Sequence, residues 1–342
     1  MLIFKVLLII AVISKVTPFI LTPIINHERS LVSLQSVPSD TSTSEVAERP
    51  SVPSSNPSAG GPPSGIKPAG PPPPSLADRV FDVTFPILYI FSPLRSTNLE
   101  SFKNLRVLWT RALLNARKEI DDPIAYRMLP RGTRKLVSRF PSKLIFRGPV
   151  RKKLSWIKDR TEFIDAAASK WMEGCPTPGQ VVIIGAGYDT RAARFSPLNP
   201  NLKFFELDLP EVIETKAMLY AKTFRGEKSP STLISHDLTS SSSIFDALPP
   251  SFSKELPTLF IIEAVMFYLP PPSINNLLSS VFSLPSPSQT IIVDNLAKVG
   301  VTPGGPPDQI KQKCKDLGTK YGKEMGEHKA IWGGAIHMAE FK

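Results

Sequence analysis

The stretch that decides the fold is VVIIGAGYDTRAARF, Val181 to Phe195. Four branched apolar residues run into Gly185-Ala186-Gly187, and Asp189 and a helix-compatible stretch follow. An unbroken apolar, β-branched run is how a strand covered on both faces reads. Glycines directly after it allow a sharp turn and let a ligand lie against bare backbone. Strand, glycine turn and helix in that order give the nucleotide-type cofactor geometry of α/β folds. The turn reads Gly-x-Gly-x-x-Thr, with Thr190 where a dinucleotide fingerprint carries its third glycine. That departure argues against a nicotinamide cofactor.

Working outward, Val181–Ile184, Leu202–Phe205, Thr232–Ile234, Thr258–Ile262 and Thr290–Val293 are short apolar runs with β-branched or aromatic residues. Helical or loop segments of roughly 15 to 30 residues separate them, a pattern of strands and crossovers. The class implied is α/β, a doubly wound, mostly parallel sheet. Upstream, Leu105, Leu108, Trp109 and Leu113 recur at helical spacing, and Asp121-Asp122-Pro123 reads as a break and a fresh helix start. An N-terminal helical cap is expected there. Beyond Val293 a helix is expected over Pro307 to Tyr321, with room afterwards for one strand or a short hairpin, so an incomplete sheet edge is considered.

Ligands of open α/β sheets bind at the carboxyl ends of the strands. Each of the first four expected strand ends carries an acid: Asp189 after the first, Asp208 in Glu206-Leu207-Asp208, Asp237 in His236-Asp237-Leu238, and Glu263 after the fourth. Asp208 follows Gly187 by 21 residues, a spacing that suits hydrogen bonds to ribose hydroxyls. Four such carboxylates led by a glycine turn exceed what solvated loops would supply.

The remainder of the chain is uneven. It holds 36 prolines, many of them before residue 76. Met1 to Ile25 is apolar with embedded Lys5 and Lys15 and reads as a signal peptide or signal anchor. Residues 26–75 form a disordered Pro/Ser-rich linker that cannot bury a core, 76–160 the basic helical cap, and 161–342 the cofactor-binding core. This N-terminus fits the secretory pathway, membrane tethering or two-step organelle import, with the cytoplasm as the alternative. Residues 101–160 carry 17 Lys+Arg against 4 Asp+Glu, leaving 24 basic and 26 acidic residues elsewhere. Such a local excess suits an anionic membrane surface or an acidic substrate, or else a solvated basic face. Aromatics are not interleaved as base stacking needs, which argues against nucleic acid. Cys175 and Cys314 are too few for a disulfide framework and have no Cys or His at metal-ligand spacing, so both read as free buried thiols and no metal is expected.

Arg160-Thr161, the GAGYDTRAARF turn, ELD, HDL and the EAVMFYL stretch from Glu263, with Asp122-Pro123-Ile124-Ala125 upstream, together resemble the leucine carboxyl methyltransferase family. This is a branch of the class I S-adenosylmethionine-dependent methyltransferases, and the resemblance runs from about Asn98 to about Asn295. It implies S-adenosyl-L-methionine as cofactor. Arg160 would pair with the methionine carboxylate, Gly185 would lie under the cofactor, and Asp208 would hold the ribose. Asp237 and Leu238 would contact the adenine, and Glu263 would sit beside the methionine portion. The wording around Asp189-Thr190-Arg191 resembles bacterial-type and uncharacterised members more than the enzymes that esterify protein phosphatase subunits. The acceptor expected is therefore a carboxylate or hydroxyl of a small molecule, or a protein carboxylate. A silent, cofactor-binding interaction module is the alternative.

Methyl transfer from a sulfonium asks mainly for in-line placement of the nucleophile. A carboxylate acceptor is already ionised at neutral pH, whereas a hydroxyl needs a base. Glu263, Tyr268 and His337 are the candidates, His337 reading more as a strand or core histidine, and no catalytic residue is assigned. Phe267 and Tyr268 are read either as lining the methyl-transfer pocket or as core.

Overall fold

The structure, a computed structural model, describes residues 99–129, 134, 135, 137, 149–225, 227–285, 287–331 and 334–342. The expected signal or anchor and the linker lie outside them. Among the described residues α1 (Leu99–Ala116) and α2 (Pro123–Met128) come before the long α3 (Pro149–Gly174). Then come β1 (Gly179–Ile184), α4 (Arg191–Phe195), β2 (Leu202–Asp208), α5 (Pro210–Phe224), β3 (Thr232–Ser235), α6 (Ile244–Ala247), β4 (Thr258–Glu263), α7 (Pro271–Phe282) and β5 (Gln289–Asp294). The helix α8 (Pro307–Lys320) and the strands β6 (Met325–Ile331) and β7 (Ile336–Phe341) close the chain.

The seven strands of the described residues form one sheet in the order β3-β2-β1-β4-β5-β7-β6. β1 to β5 run parallel, and β7 pairs antiparallel with β5 and with β6. The strand order reverses between β1 and β4, so a ligand crevice opens at their carboxyl ends. The class read from the sequence, a doubly wound and mostly parallel sheet behind a helical cap, is the one found. The sheet edge considered incomplete is in fact closed by a full hairpin. β6 escaped notice because it is a polar edge strand, Met-Gly-Glu-His-Lys-Ala-Ile, with charges that discourage pairing with other chains.

Alternation along the strands builds two cores. Val182, Ile184, Phe260, Ile262 and Ile292 meet α7 and α8 on one face. Val181, Ile183, Leu259, Ile261, Ile291 and Val293 meet Ile164, Ala168 and Trp171 of α3 on the other. Parallel strands covered on both faces must be apolar throughout, and every residue of β1 is buried. In the cap, Leu105, Leu108, Trp109 and Leu113 are all buried as their spacing required, and they pack with Val212, Leu219 and Tyr220 of α5. Proline punctuates the helices rather than breaking them, standing in the first turn of α2, α5, α7 and α8. Its missing N–H costs nothing there. Helix α3 passes unbroken through residue 160, carrying Arg160 from cap to sheet. Among the described residues no helix is long and apolar enough to cross a membrane. Cys314 is buried, but Cys175 is only half-buried, because it follows the end of α3 at the sheet's amino edge.

Candidate functional site

The glycine turn departs from ordinary backbone twice. Gly185 has φ +63° and Gly187 has φ +45°, the left-handed region that side chains disfavour. Space is short as well as torsion. A Cβ on Gly185 would lie 2.2 Å from Cγ2 of Val265, and one on Gly187 would lie 2.8 Å from Oδ1 of Asn104. The turn is thus pressed between the loop after β4 and helix α1, and both glycines are obligatory. Asp189 opens the next helix, its Oδ1 accepting the Arg191 N–H at 2.6 Å.

Asp208 stands at the end of β2, beside the turn. Its Oδ2 accepts the Gly187 N–H at 2.6 Å and its Oδ1 the Leu209 N–H at 2.7 Å. The carboxylate therefore sets the turn's position while remaining partly exposed at the crevice. Asp237, beyond β3, is exposed and accepts both the backbone and the hydroxyl of Thr239 at 2.8 Å. Those hydrogen bonds hold it below the usual carboxylate range. Leu238 beside it is half-buried against the core. Gly185, Asp208, Asp237, Leu238 and Glu263 therefore all lie at carboxyl ends of neighbouring parallel strands, and α3 delivers Arg160 to the last of them.

Behind the turn lies a buried ionic network that the sequence reading did not anticipate. Arg160 Nε lies 2.6 Å from Glu263 Oε1, while the guanidinium stacks over the Trp156 ring at 4.2 Å. Arg191 reaches Glu263, Asp189 and Asp165 at once. Arg194 binds Asp165 Oδ2 at 2.7 Å. Arg111 of α1 donates from Nε to Asp122 Oδ2 at 2.8 Å, and Thr190 donates its hydroxyl to the same oxygen at 2.7 Å. Asp122 also caps α2, its Oδ1 accepting the Ala125 N–H at 2.9 Å. Asp122-Pro123-Ile124-Ala125 is thus explained residue by residue: cap, first-turn proline, and two buried side chains.

Four arginines (111, 160, 191, 194) face four carboxylates (122, 165, 189, 263) in this network. Charges out of water persist only when paired. Burial by itself would raise the Glu263 and Asp189 carboxyls, but the surrounding arginines outweigh it and hold both below their ordinary values. Burial lowers Arg160, with the Glu263 carboxylate opposing. Two of the basic residues counted between 101 and 160, Arg111 and Arg160, are therefore interior ion-pair members rather than part of a basic surface.

A second buried pair supports the turn from below. Glu206 of β2 binds Lys216 of α5, and accepts from the Tyr220 hydroxyl at 3.0 Å. Lys216 also donates to the Ala186 carbonyl at 3.3 Å. A glutamate inside an apolar strand was the available sequence signal for a buried partner. At the end of β5, Asp294 receives the N–H groups of Val265 and Met266 at 2.6 Å each and of Phe267 at 3.3 Å. It fixes the loop that presses on Gly185, in which Ala264 has φ +55°. Phe267 and Tyr268 on this loop are 40% and 52% exposed, with ring centroids 3.9 Å apart. They form an aromatic surface rather than core. His337, considered as a base, is a buried β7 residue as the strand reading held, and burial pushes it down to about 4.

Comparison with known proteins agrees with this geometry. Residues 103–282 match the family described as leucine carboxyl methyltransferase. A provisionally named S-adenosyl-L-methionine-dependent methyltransferase of Mycobacterium marinum is 30% identical over 143 residues, covering 42% of each chain. One of Mycobacterium ulcerans is 30% identical over 167 residues, 47% of this chain and 48% of that one. A protein of the same description from Parafrankia sp. is 26% identical over 191 residues, 54% of each. The chain spans about half the length of the curated relatives it matches. The matched segment runs from the cap through the glycine turn, the four acidic strand ends and α7, and on that span the chain belongs to the leucine carboxyl methyltransferase family.

Proposed function

We propose that this chain is an S-adenosylmethionine-dependent methyltransferase that methylates an oxygen nucleophile, a carboxylate in preference to a hydroxyl, on a small-molecule acceptor. Bound S-adenosylmethionine would supply an electrophilic methyl group on a sulfonium with a good leaving group. The residues present fit it. Nη2 of Arg111 and of Arg191 are buried N–H groups without a hydrogen-bond partner, and with Arg160 beside them they would receive a carboxylate of the cofactor. Gly185 and Gly187 offer bare backbone, and the exposed part of Asp208 offers acceptors to hydroxyl groups. Asp237 and Leu238 would take the far end.

The observation that carries the acceptor preference is the state of Glu263. Locked by Arg160 and Arg191 and held ionised, it is a poor proton acceptor. His337 is a buried strand residue in contact with His328. With Glu263 and His337 both unsuited to take a proton, and only the exposed Tyr268 left of the three candidates, an acceptor already ionised at neutral pH is favoured. The chain's contribution would then be orientation and exclusion of water. Phe267 and Tyr268 would bound the acceptor side, and their exposed rings suit an acid with an apolar body.

Labelled-methyl transfer into fractionated extract, followed by base treatment, tests the reading. Base-labile label in a low-mass fraction is the expected result. Base-stable label would assign an ether or amine product, and label retained on protein would assign a protein carboxylate. Calorimetry should show binding of S-adenosylhomocysteine and none of NAD; the reverse would overturn the cofactor.

A further inference from the structure

We propose that Cys314, His328 and His337 form a binding site for a zinc-class divalent cation. Each comes from a different element: Cys314 from α8, His328 from β6 and His337 from β7. In the hairpin register His328 pairs with Ala339 and Ala330 with His337. The two histidines are therefore diagonal neighbours on one face of the sheet, and α8 supplies Cys314 to the same place. One ligand atom from each residue lies within 4.8 Å of the others. Nε2 of His328 and Nδ1 of His337 face each other at 3.2 Å.

Tetrahedral zinc holds nitrogen at about 2.0–2.1 Å and sulfur at about 2.3 Å. Ligand nitrogens of such a site stand roughly 3.3 Å apart by the same geometry, which the two imidazoles already meet. The rival reading is one hydrogen bond between the rings above an inert thiol. A cation between the rings and the thiol would instead draw on both facing nitrogens and on the buried sulfur at once. One sulfur and two imidazole nitrogens select zinc over magnesium or calcium. Binding would release the Cys314 thiol proton to solvent, leaving a thiolate on the metal. The ion would tie α8 to the terminal hairpin. It would also lie beside the loop-holding carboxylate, since His337 is the register partner of Asp294.

The test uses the full chain, purified without chelator, with metal content measured directly and Co2+ exchanged for the native ion. About one equivalent of zinc per chain is expected, and Co2+ should give a thiolate-to-metal charge-transfer band in the near ultraviolet. Cys314→Ser should abolish that band, and His328→Gln, which removes a direct ligand, should weaken metal affinity by more than the roughly 10- to 100-fold that loss of an outer-shell partner costs. His328 is half-buried, so its variant keeps the test available should Cys314→Ser fold poorly. The site is overturned if the folded wild-type chain, shown competent by S-adenosylhomocysteine binding, takes up neither zinc nor Co2+ with a charge-transfer band. It is equally overturned if His328→Gln and Cys314→Ser bind metal as wild type does.

Discussion

Asp208 receives the backbone N–H of Gly187 at 2.6 Å across the gap between β2 and the turn that leaves β1. One carboxylate thereby shapes the glycine turn and faces the crevice. Asp208→Ala should weaken S-adenosylhomocysteine binding by about 1.5–3 kcal/mol, the scale of hydrogen bonds to a charged group. Calorimetric titration measures it, and an unchanged affinity would remove Asp208 from the site.

Gly185 and Val265 are a matched pair. Gly185→Ala places a methyl group 2.2 Å from Val265 Cγ2 at a φ of +63°. A loss of about 1–3 kcal/mol is expected from backbone strain alone, and the overlap adds to it. Val265→Ala in the same chain should recover the overlap but not the strain. Denaturant midpoints of the two single variants and the double variant decide this, and strict additivity would show that the two side chains do not compete for space.

Arg160 is expected to serve the amino-acid end of the cofactor. Arg160→Ala should therefore weaken S-adenosylhomocysteine while leaving free adenosine nearly unchanged. Equal loss for both ligands would make Arg160 a purely structural partner of Glu263.

Arg191 balances three carboxylates at once. Arg191→Met leaves the four carboxylates with three arginines, Arg111, Arg160 and Arg194, and a loss of about 3–5 kcal/mol is expected for a broken buried pair. Its partners also set the acid limit. Asp165, Asp189 and Glu263 titrate below their ordinary values, so their stabilisation is present above those values and is lost as pH falls through the lowered ones. Wild-type acid unfolding should therefore begin below about pH 4. A wild-type midpoint at pH 5 or above would contradict the network.

Asp294 behaves oppositely. Burial pushes it up to about 6 despite the backbone N–H groups it accepts. The folded state then binds more protons than the unfolded one between about pH 4 and pH 6, so this contribution is present at the acid end and is lost as pH rises through the window. Relative to Asp294→Asn, wild-type stability should decline across that interval, by up to about 3 kcal/mol. A pH-independent difference between the two proteins would show that Asp294 titrates normally.

Much of the sheet could be read directly, because a parallel strand covered on both faces has to be a short apolar run, and β1, β4 and β5 are such runs. Gly185, Asp208 and Glu263 were legible for a related reason: a strand's carboxyl end is a fixed address, and topology brings those addresses together. The polar edge strand β6 was not legible, since exposure on an edge removes the apolar signal. Nor did the basic run between 101 and 160 disclose that Arg111 and Arg160 lie inside the protein.

Local pattern along the chain was enough for β1 to β5 and the helices between them, for the glycine turn and for the carboxylates at the strand ends. Only the tertiary structure decided the partners: Arg191 with Glu263, 72 residues away, Thr190 with Asp122, 68 residues away, and Cys314 with the two histidines of the hairpin. Ion pairs and ligand sets depend on which side chains meet across packed elements, and no local periodicity records that distance.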